Sequence, residues 1–523
     1  MSSTFTLSRP VLAGLTLCTV GLLVYQLCTA IYRIFLHPLR KFPGPKLAAV
    51  SFLYEGYYDV LKSPGGQFTY EISRLHNLYG PVVRISPEEI HVKDSEWFDV
   101  LYTGPGHIRD KWERSNRANG SKGSVASSVP HDLHRARRTA INPFFSKRAV
   151  MQLEDSVRNK VGLMCRKITD LARTESVVDI GTVLTALTLD VISEYCYDES
   201  YGCLEQPGFA PQWKRVMIQG FEGAPLRKNL PALFQLMEML PTWTLKQLMP
   251  EIGLFLGAKE NADRQSAAVW NDLNSHTAAK GPDDERDDEK RQKTIFHGIM
   301  NSKLPPREKT IERLSDEAFV LIFAGGETTA QVSTVILVEL LRNSDLLQRL
   351  RKELDDVMGG HLPESRRLED IPLMKAVVQE GLRVAAPVTN RPMLIAPNED
   401  LQCNGWAIPR GTPISMSFQD VLFDPAIFPS PRKFDPDRWL RAAERGERLD
   451  KYLVSFAKGS RSCVGINLAY TEMYLCIAAL VHGFEMELYD FDHKRDLETV
   501  RDCFIGLPSK DSKGVRVKVQ GRR

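Results

Sequence analysis

The longest uncharged stretch of the chain lies near its start. Residues 11–32 read VLAGLTLCTVGLLVYQLCTAIY and contain no charged side chain. At about 1.5 Å of rise per residue, a helix of this length spans roughly 33 Å, close to a bilayer core of about 30 Å. A cleaved signal peptide has a shorter apolar run. The pattern therefore predicts an uncleaved membrane anchor. The alternative, a buried core helix, lacks neighbouring sequence that would cover it.

The charges around this segment predict its orientation. Arg9 precedes it, whereas Arg33, Arg40, Lys41 and Lys46 follow it. Because positively charged flanks stay on the cytosolic side, we expect the rest of the chain to lie in the cytosol. A Pro-Gly-Pro run after the anchor predicts a stiff extended spacer. The predicted organisation is a lumenal stub over 1–10, a transmembrane anchor over 11–32, a Pro-rich hinge over 33–50 and a single domain over 51–523.

Beyond the hinge, the hydrophobic pattern is mainly helical with a few short strands. Residues 80–92 alternate between apolar and polar positions, and residues 401–416 carry an Asn-Gly turn between apolar runs, so each predicts a hairpin. Residues 103–130 are rich in Gly and Ser without a period, which predicts a long loop of the functional kind. Residues 131–280 are helical in pattern, and 281–293 form a solvated charge run. The predicted fold class is mainly α with a small β subregion.

A long apolar helix is predicted over Ser315–Arg342. Ser315 is expected to cap its N-terminus, with Asp316 and Glu317 in the first turn. The remainder is apolar nearly all round, which is typical of a helix that runs through the centre of a fold. The segment AGGETT at 324–329 interrupts it and argues against a second membrane span.

The AGGETT segment places two glycines, an acid and two hydroxyls inside an apolar helix. Each glycine weakens a helix by about 1 kcal/mol relative to alanine, so a compensating gain is expected. We predict that the missing Cβ atoms make room for a flat ligand, and that Glu327 and Thr328 deliver protons to it. The alternative is a packing kink with a satisfied polar pair.

Composition narrows the possible functions. The 523 residues carry 68 Lys and Arg against 65 Asp and Glu, so the near balance gives no case for nucleic acid as a partner. Nine cysteines, from Cys18 to Cys503, include no CxxC pair. They predict neither a disulfide framework nor a zinc site, and they indicate a reducing compartment.

Residues 456–465, FAKGSRSCVG, place Cys463 in a constrained loop ahead of a helical pattern. Backbone N–H groups and a helix N-terminus lower the pKa of a thiol. Glycine on both sides permits a tight loop, Phe456 would shield the sulfur, and Arg461 would pair with a carboxylate of a ligand. A single soft thiolate of this kind suits axial ligation of haem iron. The alternative is a structural cysteine.

Glu380 and Arg383 have the i, i+3 spacing of helical ion pairs, most of which are surface pairs. The same spacing recurs at 71/74, 339/342, 364/367 and 498/501. The apolar neighbours of Glu380 and Arg383 favour a buried pair. Arg438, in FDPDRW, is predicted to share the carboxylate of Glu380. The alternative for Arg438 is an exposed loop arginine.

These motifs carry a resemblance. The pattern FxxGxRxCxG, formed by Phe456, Gly459, Arg461, Cys463 and Gly465, is similar to the haem-thiolate signature of the cytochrome P450 family. AGGETT, the Glu380/Arg383 pair and Arg438 match that family's other motifs in their order. Segments such as FLHPLRKFPGPKLA and FDPDRWL resemble the microsomal class of filamentous fungi. The resemblance covers essentially the whole chain and implies the P450 fold.

The resemblance implies roles for individual residues. Cys463 would be the axial ligand of haem b (iron protoporphyrin IX), and Thr328 with Glu327 would assist protonation and scission of bound oxygen. Glu380, Arg383 and Arg438 would form a structural network behind the cysteine loop. The propionates would meet Arg461 and, from HRARR, His134 and Arg138, with Arg135 and Arg137 as alternatives. Arg391 is a further candidate, because Leu394 stands where relatives often carry a second arginine.

The implied function is a monooxygenase of the endoplasmic reticulum membrane. It would insert one oxygen atom of O2 into a terpenoid or polyketide-derived substrate of fungal secondary metabolism, with electrons from NADPH through cytochrome P450 reductase. The substrate would lie between the central helix, the 103–130 loop and Val388. Residues 134–138, with Lys147, Arg148 and Lys458, would dock the reductase. The alternatives are a reductase-independent haem-thiolate isomerase or dehydratase and a non-catalytic haem-binding protein.

Overall fold

The structure is a computed structural model that describes residues 9–174, 176–248, 250–277, 294–359 and 361–523. The predicted charge run over 281–293 and most of the predicted stub lie outside the described residues. The described α-helices, in chain order, are α1 Arg9–Ile31, α2 Lys46–Val50, α3 Leu53–Gly56, α4 Phe68–Tyr79, α5 Phe98–Leu101, α6 Glu113–Asn116, α7 His131–Ile141, α8 Lys147–Arg173, α9 Ile180–Tyr197, α10 Pro211–Glu222, α11 Ala224–Asn229, α12 Pro231–Glu238, α13 Thr242–Leu248, α14 Pro250–Thr277, α15 Ile295–Asn301, α16 Ile311–Leu341, α17 Ser344–Met358, α18 Ser365–Glu369, α19 Pro372–Ala385, α20 Phe418–Leu422, α21 Asp437–Glu444, α22 Ile466–Gly483 and α23 His493–Asp496.

The strands are short and form small sheets. They are β1 Val82–Arg84, β2 Ile90–Val92, β3 Asp110–Lys111, β4 Val177–Asp179, β5 Met393–Ile395, β6 Leu401–Cys403, β7 Trp406–Ile408, β8 Pro413–Ser415, β9 Phe484–Leu488, β10 Arg501–Cys503, β11 Ile505–Leu507 and β12 Arg516–Arg522. One sheet has the order β1-β2-β8-β5-β3, a second has the order β4-β12-β9, and β6-β7 and β10-β11 form two-stranded sheets. The predicted fold class and both predicted hairpins, β1-β2 and β6-β7, are confirmed.

The central helix α16 begins earlier than the sequence predicts. The Thr310 hydroxyl accepts from the Arg313 amide and caps the helix, so Ser315 lies inside it and the predicted cap is wrong. Asp316 and Glu317 bind a neighbouring loop instead: the amide of Gly123 donates to Asp316 at 2.6 Å and that of Val125 to Glu317 at 3.0 Å. These carboxylates satisfy loop donors that would otherwise be buried without acceptors.

The loop predicted over 103–130 contains short elements of its own. β3, α6 and a 3₁₀ turn at Arg117–Asn119 lie within it. β3 joins the five-stranded sheet through β5, and the last part of the loop is fixed to α16 by Asp316 and Glu317. The segment is therefore a structured wall beside the central helix.

Two described helices are long and apolar enough to cross a membrane. The first covers Thr16–Leu36 and has no buried residues in its apolar window; the second is α16, which is mostly buried and serves as the core helix. The predicted hinge over 33–50 is extended only around its Pro-Gly-Pro run, where Phe42 and Pro45 have extended backbone. Before that run it makes a π-helical turn at Tyr32–Leu36 and a 3₁₀ turn at Pro38–Lys41, and after it α2 begins. The Arg84 guanidinium donates to the Arg33 carbonyl at 2.9 Å and fastens this segment to β1.

Candidate active site

An internal cavity of about 390 Å³ lies between the loop that carries Cys463 and the central helix. Phe456, Cys463 and Gly465 line it from the loop, and Ala324 and Thr328 line it from α16. Ser115, Asn116 and Val388 also line it, as do other residues of the structured 103–130 segment. The structure thus brings together the segments that the sequence predicts around a substrate.

The loop geometry places the Cys463 sulfur on the cavity. The Cys463 amide donates to the Phe456 carbonyl at 2.9 Å, and α22 begins three residues later. Gly459 has φ +72°, and a Cβ there would lie 2.0 Å from the Thr103 carbonyl oxygen, so no other residue fits this close approach. The Cys463 side chain is exposed to the cavity while the surrounding protein encloses it.

The electrostatics of Cys463 suit a metal ligand better than a free nucleophile. Burial raises the pKa of its thiol, while the Gly465 backbone N–H and the Arg138 guanidinium lower it. Burial outweighs the other two, so the free thiol stays protonated at neutral pH. Cys463 would lose this proton on binding a metal cation, because coordination stabilises the thiolate directly.

Four basic side chains surround the cavity edge near the cysteine loop. Arg461 donates to the carbonyls of Ser128 and Val129 at 2.7 and 2.9 Å, and Arg138 donates to the Ser462 carbonyl at 2.8 Å. Lys111 lines the cavity and donates to the Ala126 carbonyl, and His134 is buried beside them. In the described parts of the chain, none of the four has a carboxylate within ion-pair distance.

This lack of counter-ions is the test of fit for the predicted haem. Burial, with the charge of Arg461, lowers the pKa of Lys111 to about 7, and burial lowers the pKa of Arg461 to about 10. Burial and the same cations lower the pKa of His134 to about 3. His134 is therefore neutral at pH 7, and the cations of the cluster are Arg138, Arg461 and, in part, Lys111. Buried cations are expected to bind anions, because paired charges cost far less to bury. Two propionates on a planar group held by Cys463 would meet that requirement.

The alternatives within HRARR separate clearly. Arg137 is buried and paired with Glu308 at 2.6 Å, and Arg135 is exposed, whereas Arg138 bonds to the residue next to Cys463. Arg391 lines the cavity, but its Nε and Nη2 already bind Glu89 and Glu55 at 2.9 and 2.7 Å. A propionate contact for Arg391 would have to use Nη1 and stays a prediction.

The structure brings Glu380, Arg383 and Arg438 together. Arg383 donates to both oxygens of Glu380 at 2.9 and 2.8 Å, and Arg438 donates to Glu380 at 3.0 Å. The Trp439 indole adds a fourth bond at 2.9 Å. Arg383 also binds the carbonyls of Leu422, Pro431 and Lys433. The network therefore fastens α19 to α21 and to the segment before it.

Glu327 and Thr328 point to different sides of α16. The Thr328 hydroxyl lies on the cavity and donates to the Ala324 carbonyl at 2.8 Å. The Glu327 carboxylate is buried toward α9 and α10, where it binds the Lys214 ammonium at 2.6 Å and the Thr185 hydroxyl at 3.1 Å. Burial raises the pKa of Glu327, and Lys214 opposes this shift.

The two glycines of AGGETT have different surroundings. A Cβ on Gly326 would lie 2.6 Å from the Leu189 side chain, and one on Gly325 would lie 3.0 Å from Ile192. The expectation that they admit a flat ligand is wrong for Gly326, because α9 takes that space. For Gly325, which also lines the cavity, it stays a prediction.

Sequence reasoning missed Lys111 and Glu472. Glu472, on α22, is buried, lines the cavity and contacts the Thr329 hydroxyl. Burial raises its pKa well above the usual value. Its position nine residues after Cys463, inside an apolar helical run, was the available signal. Lys111 carries no comparable signal, because only the fold brings its loop to the cysteine.

The comparisons agree with this geometry. The sequence profile of the family described as Cytochrome P450 matches residues 56–512. The chain is 39% identical to the tryptophan 6-hydroxylase fscE of Fusarium equiseti over 497 residues, which are 94% of each chain. It is 37% identical to the cytochrome P450 monooxygenase MO6277 of Ascocoryne sarcoides over 508 residues, which are 95% of this chain and 96% of the relative.

The fold comparison points the same way. A retinoic acid-bound cyanobacterial cytochrome P450 has a TM-score of 0.68 and 20% sequence identity, with 91% of this chain and 98% of that chain covered. Since the family profile covers most of the chain and the two relatives match over nearly their full length, this chain belongs to the cytochrome P450 family of haem-thiolate monooxygenases.

Proposed function

We propose that this monooxygenase inserts one oxygen atom of O2 into a hydrophobic natural product of fungal secondary metabolism, with electrons that NADPH supplies through cytochrome P450 reductase. One observation carries the proposal: Cys463 and Thr328 line the same cavity, whose edge holds cations without carboxylate partners. The two fungal relatives, a tryptophan 6-hydroxylase and a cytochrome P450 monooxygenase, support a role in fungal secondary metabolism. Within it, the terpenoid or polyketide-derived substrate stays a prediction.

Each part of the site has a task in this proposal. Haem, when bound, supplies the oxygen chemistry, and the thiolate tunes it. Cys463 would hold the iron, and Lys111, His134, Arg138 and Arg461 would hold the propionates. The apolar walls exclude water. The Thr328 hydroxyl, now bonded to the Ala324 carbonyl, would move a proton on the cavity side of α16.

Protons can reach that wall from two buried carboxyl groups. Glu472 contacts Thr329, the neighbour of Thr328, and burial raises the pKa of its carboxyl, which favours the protonated form. Glu327 reaches toward the surface through the partly exposed Lys214. Delivery from Glu327 to the cavity requires its side chain to leave Lys214, since the carboxylate now faces away from Thr328.

Substitution of the cysteine tests the proposal. We expect Cys463→Ser to lose the thiolate-type Soret band of the reduced, carbon monoxide-bound protein and at least 100-fold of the NADPH-dependent oxygenation. Cys165→Ser is the matched control, because Cys165 is half-buried on α8 and away from the cavity. Undiminished oxygenation by Cys463→Ser would overturn the proposal.

The alternatives differ in what they require. A haem-thiolate isomerase or dehydratase needs neither NADPH nor reductase, and a haem-binding protein needs no proton donor at the cavity wall. Thr328 on the cavity favours the monooxygenase. Incorporation of one atom of ¹⁸O from labelled O2, dependent on NADPH, separates the three functions.

The predicted reductase surface is smaller than the sequence indicates. His134 and Arg137 are buried and therefore not available for docking, and the charge of Lys458 is already paired with Asp99 at 2.6 Å. Arg135, Lys147 and Arg148 are exposed on α7 and α8. We therefore propose that these three attract an acidic reductase.

Charge reversal tests this surface. The triple variant Arg135→Glu, Lys147→Glu, Arg148→Glu should slow reduction by reductase at least tenfold at low salt and leave reduction by dithionite unchanged. Lys510→Glu is the control, since Lys510 is exposed in the turn after β11. An unchanged rate in the triple variant would exclude this docking surface.

We further propose that α1 crosses the endoplasmic reticulum membrane once and leaves the domain on the cytosolic side. The exposed apolar helix and the basic residues after it support this orientation. Glycosylation sites engineered before Arg9 and after Arg523 test it, because only the first should be modified in microsomes.

A further inference from the structure

The part of the cavity reached from α10, α14 and the central helix has aromatic walls. Its five phenylalanines are Phe221, Phe255, Phe319, Phe323 and Phe504. Phe319 and Phe323 have ring centroids 4.4 Å apart, and Phe221 stacks on Phe504 at 6.1 Å with an interplanar angle of 14°. Both distances are close to the range of centroid separations that aromatic pairs prefer.

The position of Phe504 is held by a strained backbone. Its φ is +81°, a conformation that bulky residues rarely adopt. Two hydrogen bonds secure it, from the amides of Thr389 and Asn390 to the Phe504 carbonyl, each at 3.2 Å. Strain of this kind persists only where surrounding structure enforces it, and it is concentrated at functional sites. The ring of Phe504 is thus fixed in the cavity wall.

Two asparagine side chains provide hydrogen-bond acceptors beside this aromatic wall. The Asn116 Nδ2 donates to the Ser127 carbonyl at 2.6 Å, and the Asn119 Nδ2 donates to the Ser127 hydroxyl at 3.1 Å. Both residues line the cavity, and among the hydrogen bonds of the described residues none is accepted by either Oδ1.

We infer that the substrate is a planar aromatic molecule that carries an N–H or O–H donor, such as an indole or a phenol. This inference rests on the proposed function and narrows its substrate class. A ring would stack in the phenylalanine wall, while its donor would satisfy Asn116 or Asn119. A saturated terpenoid without a donor would instead bury these acceptors unpaired. Among the described residues that line the cavity, Glu472 is the one carboxylate. This scarcity of negative charge disfavours a substrate with a cationic amine.

Matched pairs of probes test the inference on the full-length holoenzyme by titrating the Soret shift. The pairs are indole with 1-methylindole and 2-naphthol with 2-methoxynaphthalene; decalin, which is saturated and has no donor, represents the terpenoid class. We expect each donor to bind about 5- to 10-fold more tightly than its methylated partner, the effect of one hydrogen bond near 1 kcal/mol. Equal binding within both pairs, or tighter binding of decalin than of 2-naphthol, would overturn the inference. The two pairs distinguish indole from phenol.

Asparagine variants then locate the acceptor. We expect one of the two variants, Asn116→Leu or Asn119→Leu, to remove the acceptor. That variant should bind the donor probe and its methylated partner equally tightly. Asn→Gln at the same position should restore part of the difference. A difference that survives both Leu variants would contradict the assignment to these residues. If the thiolate-type Soret band and NADPH-dependent oxygenation are retained while the preference is absent, this inference fails and the proposed function stands.

Discussion

At the scale of single residues, Glu472 couples the cavity to the pH dependence of stability. Burial holds the pKa of its carboxyl well above the ordinary value near 4.3, the value expected in the unfolded chain. Below pH about 4, Glu472 is protonated in both the folded and the unfolded protein, so it does not change the free energy of unfolding with pH. As pH rises, the unfolded chain releases the proton first, so stability is lost until the folded pKa is reached.

We predict that Glu472→Gln removes this loss. The Tm of the variant minus that of the wild type should increase from pH 5 to pH 8, with a slope that corresponds to at most about 1.4 kcal/mol per pH unit. Differential scanning calorimetry at several pH values measures it. A difference that does not change with pH would show that Glu472 titrates normally in the folded protein.

The Glu380 network and the Glu339 pair show why identical spacing does not mean identical energetics. Glu380 and Arg383 are fully buried, whereas Arg342 beside Glu339 is exposed. Glu380→Gln leaves two buried guanidinium groups without their carboxylate, which costs about 3–5 kcal/mol. We expect a lower Tm and a smaller fraction of protein with haem.

The control for that change is Glu339→Gln, which alters a partly exposed pair of the same i, i+3 spacing. It should shift stability by about 0.5 kcal/mol or less. Equal losses in the two variants would contradict the assignment of Glu380 to a buried structural network.

At the scale of elements, Gly326 sets the distance between α16 and α9. A Cβ at this position would lie 2.6 Å from Leu189, so Gly326→Ala should cost about 1–3 kcal/mol through overpacking. Gly257→Ala on α14 meets no atom within 4 Å and should instead stabilise by about 0.5–1 kcal/mol. Thermal unfolding of both variants measures the two signs.

Leu189→Ala in the Gly326→Ala background provides the decisive check. Because the two side chains would compete for one space, the combined cost should be smaller than the sum of the single costs. Simple additivity would show that Leu189 does not limit the space at Gly326.

The same helix shows what the sequence can and cannot predict about elements. Its long apolar run predicted a core helix correctly, because hydrophobic pattern is a local property of the sequence. Its start was misplaced, since Ser315-Asp316-Glu317 and Thr310 both have the composition of a cap, and tertiary contacts with Gly123 and Val125 decide between them. The direction of the glycines and of Glu327 likewise depends on α9 and α10.

At the scale of the whole molecule, the sequence predicted motifs with fixed spacing, but it did not predict groups formed by residues that are far apart in the chain. The cysteine loop and the Glu380–Arg383 pair are encoded within a few residues, and Arg438 follows in a fixed order. Lys111 joins the cation cluster only because its loop folds against residues that lie about 350 positions later. The bond from Arg461 to the Val129 carbonyl likewise joins residues that are far apart in the sequence. No local pattern reports such proximity.

The molecule also exposes a second apolar surface besides α1. On α12 and in the residues after it, Leu236 is 61% exposed, Met239 80% and Trp243 65%. A patch of large apolar side chains on a monomer marks an interaction surface, and an aromatic side chain among them is typical of membrane interfaces. We therefore expect the domain to contact the bilayer here as well as through α1.

This contact predicts membrane binding without the anchor. A chain that lacks residues 1–31 should still bind phosphatidylcholine vesicles, and Leu236→Ser, Met239→Ser and Trp243→Ser together should weaken that binding at least 100-fold, because each buried side chain contributes about 1.5–3 kcal/mol. Leu78→Ser and Met151→Ser are controls, being 62% and 60% exposed on α4 and α8. Co-sedimentation measures the binding, and the carbon monoxide spectrum reports on folding. If the controls weaken binding as much as the triple variant, general hydrophobicity, not this surface, holds the domain to the membrane.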